Sequence, residues 1–173
     1  MTGAAATARR GARRLARLNA GLYRATCVVA IALLAAIFVI MILQIAFRYV
    51  LNAPLVWTEE AARYLYIWAC YLGAAIALRR GSHIAITLVL ERLPGRLGAA
   101  VALGSQALAL LFLGAVTVLG VQLMARTHTI EAITLPIPWS VIYAAAPVGA
   151  VLMLLQTLET LGQAVRDLRG ARP

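Results

Sequence analysis

The sequence predicts an all-α integral membrane protein with four transmembrane helices, both termini in the cytoplasm, and an amphipathic interfacial segment between spans two and three. Three observations predict it. The 173 residues are 63% hydrophobic and 13% charged with mean hydropathy +0.88, whereas a soluble domain carries about a quarter charged residues. The apolar residues gather into four long runs separated by short polar gaps. The sixteen arginines, set against six acids, fall almost entirely in alternate gaps. A pI near 11 would fit nucleic acid only if that charge formed one soluble face, and these arginines sit between spans instead.

Each span needs roughly 20 apolar residues to cross a hydrocarbon core about 30 Å thick. Residues 25–47, 97–125 and 132–158 are free of charge. The last of these contains Pro136 and Pro138, so its helix is placed from about Pro138, where a proline in the first turn forfeits no hydrogen bond. Span two has an uncharged stretch of only 64–78 and needs its flanks. Starting it at Trp57 supplies Thr58 as a cap and places Glu59 and Glu60 in the first turn, against the positive end of the helix dipole. Glu59 and Arg63 are four apart and can pair. The chain then divides into a basic N-terminal segment 1–24, a single membrane domain 25–162 and a C-terminal tail 163–173. The spans lie near 25–47, 57–78, 97–124 and 138–160.

Orientation follows from the arginines, since positive residues are retained on the cytoplasmic side. Arg9, Arg10, Arg13, Arg14, Arg17 and Arg24 precede span one. Arg79, Arg80, Arg92 and Arg96 lie between spans two and three, and Arg166, Arg169 and Arg172 follow span four. The other two connections carry only Arg48, Arg63 and Arg126. Trp57 and Trp139 then mark the outer interface. The basic N-terminal segment reads either as a helix lying on anionic headgroups or as a topology-setting tail. Residues 84–90 are too short to cross and end at Pro94 and Gly95, which suits an interfacial or re-entrant element; an extension of span two is the other reading.

Small residues four apart, Ala69, Gly73 and Ala77 on span two, Ala100 and Gly104 on span three, and Ala145 and Gly149 on span four, offer seams for close helix packing. Pro147 should kink span four. Cys27 and Cys70 lie inside spans with no redox or metal spacing.

No reactive constellation is visible. His83 and His128 fall in connections on opposite sides of the membrane and cannot share a metal. No serine has a histidine and an acid at matching depth, and no glycine-rich phosphate loop is present. Every mid-span position is uncharged, although carriers and pumps place ionisable groups there. Gln44, Gln106, Thr117 and Gln122 are the mid-span polar exceptions, suited to interhelical hydrogen bonds. The residues therefore predict a non-enzymatic scaffold or accessory subunit, without cofactor, metal or nucleic-acid partner.

The run FRYVLNAPLVWTEEAARYLYIWACYLGAAIALRRGSHIAI, beginning at Phe47, resembles the small membrane subunit, the Q subunit or DctQ-like component, of tripartite ATP-independent periplasmic (TRAP) transporters. The matching features are the FRYVLNAP exit from span one, the start of span two at Trp57, Glu59, Glu60 and Arg63, and its exit at Arg79, Arg80, Gly81 and His83. The resemblance implies a bacterial inner-membrane complex with a large permease subunit and a periplasmic solute-binding protein. That complex would import an organic acid or similar anion on an ion gradient such as sodium. It also implies that substrate and ion sites lie in the large subunit, so no catalytic, cofactor or metal ligand is assigned here. Arg48, Trp57, Glu59, Glu60 and Arg63 are the expected partner interface at the outer face. Arg79, Arg80, Gly81 and His83 form an inner-face structural cluster, with Gly81 as a helix cap. The competing classes are an autonomous four-helix exporter acting as a homodimer, which predicts an acid within a span, and an enzyme-anchoring bundle, which predicts histidine pairs at helical depth for haem.

Overall fold

The structure, a computed structural model, describes the backbone of residues 2–81 and 95–170, and the side chains of residues 19–79, 101 and 104–158. The described chain is helical, with one isolated antiparallel bridge between Glu131 and Pro138. The helices are α1 (Thr2–Tyr49), α2 (Trp57–Gly81), α3 (Gly95–Thr127), α4 (Trp139–Tyr143) and α5 (Ala145–Gly170). Four segments are long and apolar enough to span a membrane: Asn19–Tyr49, Trp57–Arg79, Gly104–Thr127, and Trp139–Leu158 across α4 and α5. The basic stretch at the N-terminus continues into span one as a single helix. The segment expected at the interface, 84–90, lies outside the described residues.

The FRYVLNAP exit from α1 has a local cause. The N–H groups of Val50 and Leu51 both turn back onto the Ala46 carbonyl at 2.9 and 3.3 Å, so the helix closes on itself. Asn52 then adopts φ 49°, a left-handed conformation that asparagine tolerates better than most residues. Ala53 N–H returns to the Phe47 carbonyl at 3.0 Å, and Pro54 cannot extend a helix. The next helix starts at Trp57, and here one expectation fails. Thr58 does not cap; it lies within the first turn, fully buried, and its hydroxyl donates to the Leu55 carbonyl at 2.7 Å.

The four spans form an open row. α1 packs on α2, α2 on α5, and α5 on α3, while α4 fills in beside α3 and α2. Span four is thus central although it is last in sequence. In an apolar 18-residue stretch of it 39% of residues are buried, against 11, 17 and 11% in the corresponding stretches of spans one to three. Small residues explain the position. Ala145 and Ala150 are buried on α5 and Ala75 on α2. A Cβ built on Gly149 would lie 2.8 Å from the Tyr71 Cβ, and one on Gly120 would lie 2.8 Å from the Pro147 Cδ. These are backbone-to-side-chain approaches that no larger residue would permit.

The expected small-residue seams are therefore half right. Ala69, Ala145 and Gly149 are packed, but a Cβ added to Gly73 or Gly104 would meet nothing within 4 Å beyond its own helix, and Ala77 is exposed. Ala100 is outside the described side chains. Pro147 acts as expected. It offers no N–H to the Tyr143 carbonyl four residues earlier, and the helix is interrupted there, at Ala144 between α4 and α5. Two of the four mid-span polar residues tie helices together: Gln44 Nε2 donates to Glu59 Oε1 at 2.9 Å, and Gln106 Nε2 to the Thr157 carbonyl at 3.3 Å. Thr117 bonds only to Leu113 O in its own helix. Gln122 points out of the fold.

Candidate partner interface at the two ends of the row

Glu59 and Glu60 begin α2 side by side, and 100° of helical rotation sends them to different neighbours. Glu60 faces the connection between α3 and α4. Its Oε1 accepts the backbone N–H of Ile133 at 3.1 Å, and its Oε2 accepts that of Thr134 at 2.7 Å. The hydroxyls of Thr134 and Tyr64 also donate to it in short hydrogen bonds. A carboxylate has about four lone-pair sites to offer, and four donors fill them. The connection itself is folded back by Ala132 N–H to Ile137 O at 3.0 Å and Trp139 N–H to Ile130 O at 2.9 Å. Glu60 closes that small loop and binds it to α2.

Aromatic packing continues this tie into the membrane. The Tyr64 ring meets Trp139 edge-on at 5.9 Å, and Trp139 lies 5.7 Å from Tyr143. One turn further along α2, the Trp68 indole donates to the Val141 carbonyl at 3.2 Å. Glu60, Tyr64 and Trp68 are spaced by four along one face of α2; Glu60 addresses the loop before span four, and Tyr64 and Trp68 address its first turn.

Glu59 turns toward α1. It accepts from Gln44 and lies 3.8 Å from Arg48 Nη1, with both charged side chains more than half exposed. The expected pairing of Glu59 with Arg63 does not form among the described residues, because the end of α1 brings Arg48 and Gln44 against the same carboxylate. Trp57 is 39% exposed, and Arg63 is exposed. The five residues expected at this end are thus divided: Glu60 is spent inside the chain, whereas Arg48, Trp57, Glu59 and Arg63 remain on the surface. Around them Tyr49, Val50, Leu51, Val56 and Ile133 are strongly exposed.

At the opposite end Arg79 alone can be described fully. Its guanidinium donates to the Asn19 carbonyl at 3.1 Å and stacks 4.5 Å from the centroid of the Tyr23 ring, a cation–π contact favoured when partly desolvated. α1 and α2 are thereby pinned at both ends. Gly81 is the last residue described in α2, and the cap expected there falls on residues outside the described ones. The Arg80 side chain and His83 lie outside the described residues.

Sequence reasoning missed Tyr64, Thr134 and Tyr23 as members of these ends. Tyr64 carried a readable sign, since it stands four residues after Glu60. Thr134 and Tyr23 carried none. Among the described residues no group of three histidine, cysteine or acidic side chains could hold a metal. What the arrangement does chemically is hold helices and loops in place.

Comparison with known proteins agrees with this picture. The profile of the family described as tripartite ATP-independent periplasmic transporters, DctQ component, matches residues 37–167. The sialic acid TRAP transporter small permease protein SiaQ of Vibrio cholerae is 36% identical over 143 residues, covering 83% of each chain. The C4-dicarboxylate TRAP transporter small permease protein DctQ of Rhodobacter capsulatus is 30% identical over 61% of this chain and 47% of its own. The isethionate TRAP transporter permease protein DctMQ of Oleidesulfovibrio alaskensis is 33% identical over 78% of this chain, a match that occupies 22% of that much longer protein. Four apolar spans, the tied start of the second, and a family profile over most of the length lead to one conclusion: this multi-pass membrane chain belongs to the DctQ family of TRAP transporter small permease subunits.

Proposed function

We propose that this chain is the accessory scaffold subunit of a TRAP transporter in a bacterial inner membrane, with both termini cytoplasmic. It supports a large permease subunit in ion-gradient-driven uptake of an organic acid or similar anion delivered by a periplasmic solute-binding protein. The observation that carries this reading is where the polar side chains go. Within the described spans the charged side chains of Arg24, Arg48, Glu59, Glu60, Arg63, Arg79 and Arg126 all lie within two turns of a span end, and the buried amide of Gln44 and that of Gln106 are used to join helices. A solute pathway through the chain would need such groups free at mid-depth. The orientation rests on the arginine asymmetry, and Arg48, Trp57, Glu59 and Arg63 are assigned to contact with the transporter's other subunits at the outer face.

Affinity purification of the tagged chain from its native membrane in mild detergent tests the proposal. A large hydrophobic permease recovered in equal amount is the expected result. Recovery of this chain alone, as a monomer or homodimer that transports after reconstitution, would overturn it in favour of an autonomous exporter.

A further inference from the structure

Four glutamines lie within the described spans, and three follow one rule. Gln44 and Gln156 are buried, and Gln106 is half-buried against the Thr157 carbonyl. Gln122 on α3 breaks it. It stands nine residues beyond the buried Leu113, which at about 100° per residue is about 180° around the helix. Gln122 therefore points directly away from α5 and from the rest of the chain. It is exposed and hydrogen-bonds to nothing among the described residues.

Depth makes that orientation costly in lipid. Gln122 is five residues from the end of α3 at Thr127, about 7.5 Å along the axis. Side chains on a helix lean toward its N-terminus, so the carboxamide leans into the span, away from the nearer end. Its two-carbon stem is too short to reverse that, unlike the arginine stem of Arg126. An amide facing hydrocarbon leaves two donors and an acceptor unsatisfied. The same face of α3 carries Gly104 in line with Gln122, where an added Cβ would meet nothing within 4 Å beyond its own helix, and the small side chain of Ala115 between them. A second helix could approach closely there. Leu108, Leu111, Val118 and Leu119 flank that line and are exposed, as Val28, Ile31, Phe38, Ile42 and Ile45 are on α1; the outward face of α1 differs in carrying no polar side chain between Arg24 and Arg48.

We infer that the outward face of α3 is the seam for a transmembrane helix of the large permease subunit, with Gln122 hydrogen-bonded across it. The identity of the occupant rests on the proposed function and on the DctMQ relative, a TRAP transporter permease protein of which this chain matches 22%.

A photoreactive amino acid placed at position 122, in the whole complex in native membranes, tests the inference. Ultraviolet light should give an adduct with the large permease, whereas the same group at Leu113 should react only within this chain. An adduct with a second copy of this chain, or no protein adduct although the large permease co-purifies, would overturn the seam and leave the proposed function standing. A chain that purifies without any large permease would overturn both. Gln122→Leu should weaken retention of the large subunit in detergent by roughly threefold, the size of one interhelical hydrogen bond in a membrane protein. Gln122→Asn should restore part of it, and unchanged retention in Gln122→Leu would count against the hydrogen bond.

Discussion

Glu59 and Glu60 are chemically identical neighbours, yet the chain uses them for opposite purposes. Glu60 receives four hydrogen bonds and holds the loop that delivers span four to the centre of the row. Glu59 receives one amide and stands near one arginine, both partners on α1, and stays largely in view of solvent. The difference teaches that a charge at a helix start takes its meaning from what the next turn of rotation faces. Glu60 is an internal fastener. Glu59 is a surface group available to another subunit.

The largest effect is expected at Glu60. Glu60→Ala leaves the N–H groups of Ile133 and Thr134 and the Tyr64 hydroxyl without their acceptor, and should make the 128–138 loop several-fold more susceptible to limited proteolysis and lower the melting temperature in detergent. Resistance equal to wild type would remove the fastener role. Thr134→Val should produce a milder form of the same change, since the Thr134 N–H bond to Glu60 survives while the hydroxyl bond is lost.

Gln44→Leu comes next and probes the other side. The amide gives Glu59 a donor, but its own Oε1 is buried without a hydrogen-bond partner. Gain and loss oppose each other, so stability should change by less than about 1 kcal/mol. Calorimetry of the purified chain would read this; a larger loss would mean that Glu59 also has an internal role. The smallest effect on the chain itself is expected for Glu59→Gln combined with Arg48→Gln. Exposed ion pairs contribute little and are screened by salt, so the melting temperature should not move. Recovery of the large permease should nevertheless fall in this double variant, and normal recovery would take the pair out of the partner interface.

Much of the architecture was legible in the sequence, because membrane spans write themselves as length and apolarity. The two proline signals worked for the same reason: Pro138 precedes α4 and Pro147 interrupts span four, effects that act within four residues. The failures are also physical. Glu60 meets Ile133 and Thr134 across 73 and 74 residues, and Arg79 meets Asn19 across 60. Such contacts depend on how helices are arranged and leave no periodic mark. Thr58 looked like a cap because threonine suits that place, but the helix began one residue earlier and turned its hydroxyl backward. Gly73 and Gly149 sit at equivalent positions in equivalent patterns, and only the partner, Tyr71 for Gly149, separates a seam from an open face.

The open row has a mechanical consequence. Among the described residues, four helices standing side by side make a fence one helix thick, about 10 Å, with lipid or a neighbour on each broad side. Sliding of the posts along one another is opposed, because Arg79 and Glu59 cross-brace the first two posts and Glu60 ties the second to the loop that leads into the third. A body resting against either broad side of the fence would then meet posts whose heights are fixed relative to one another.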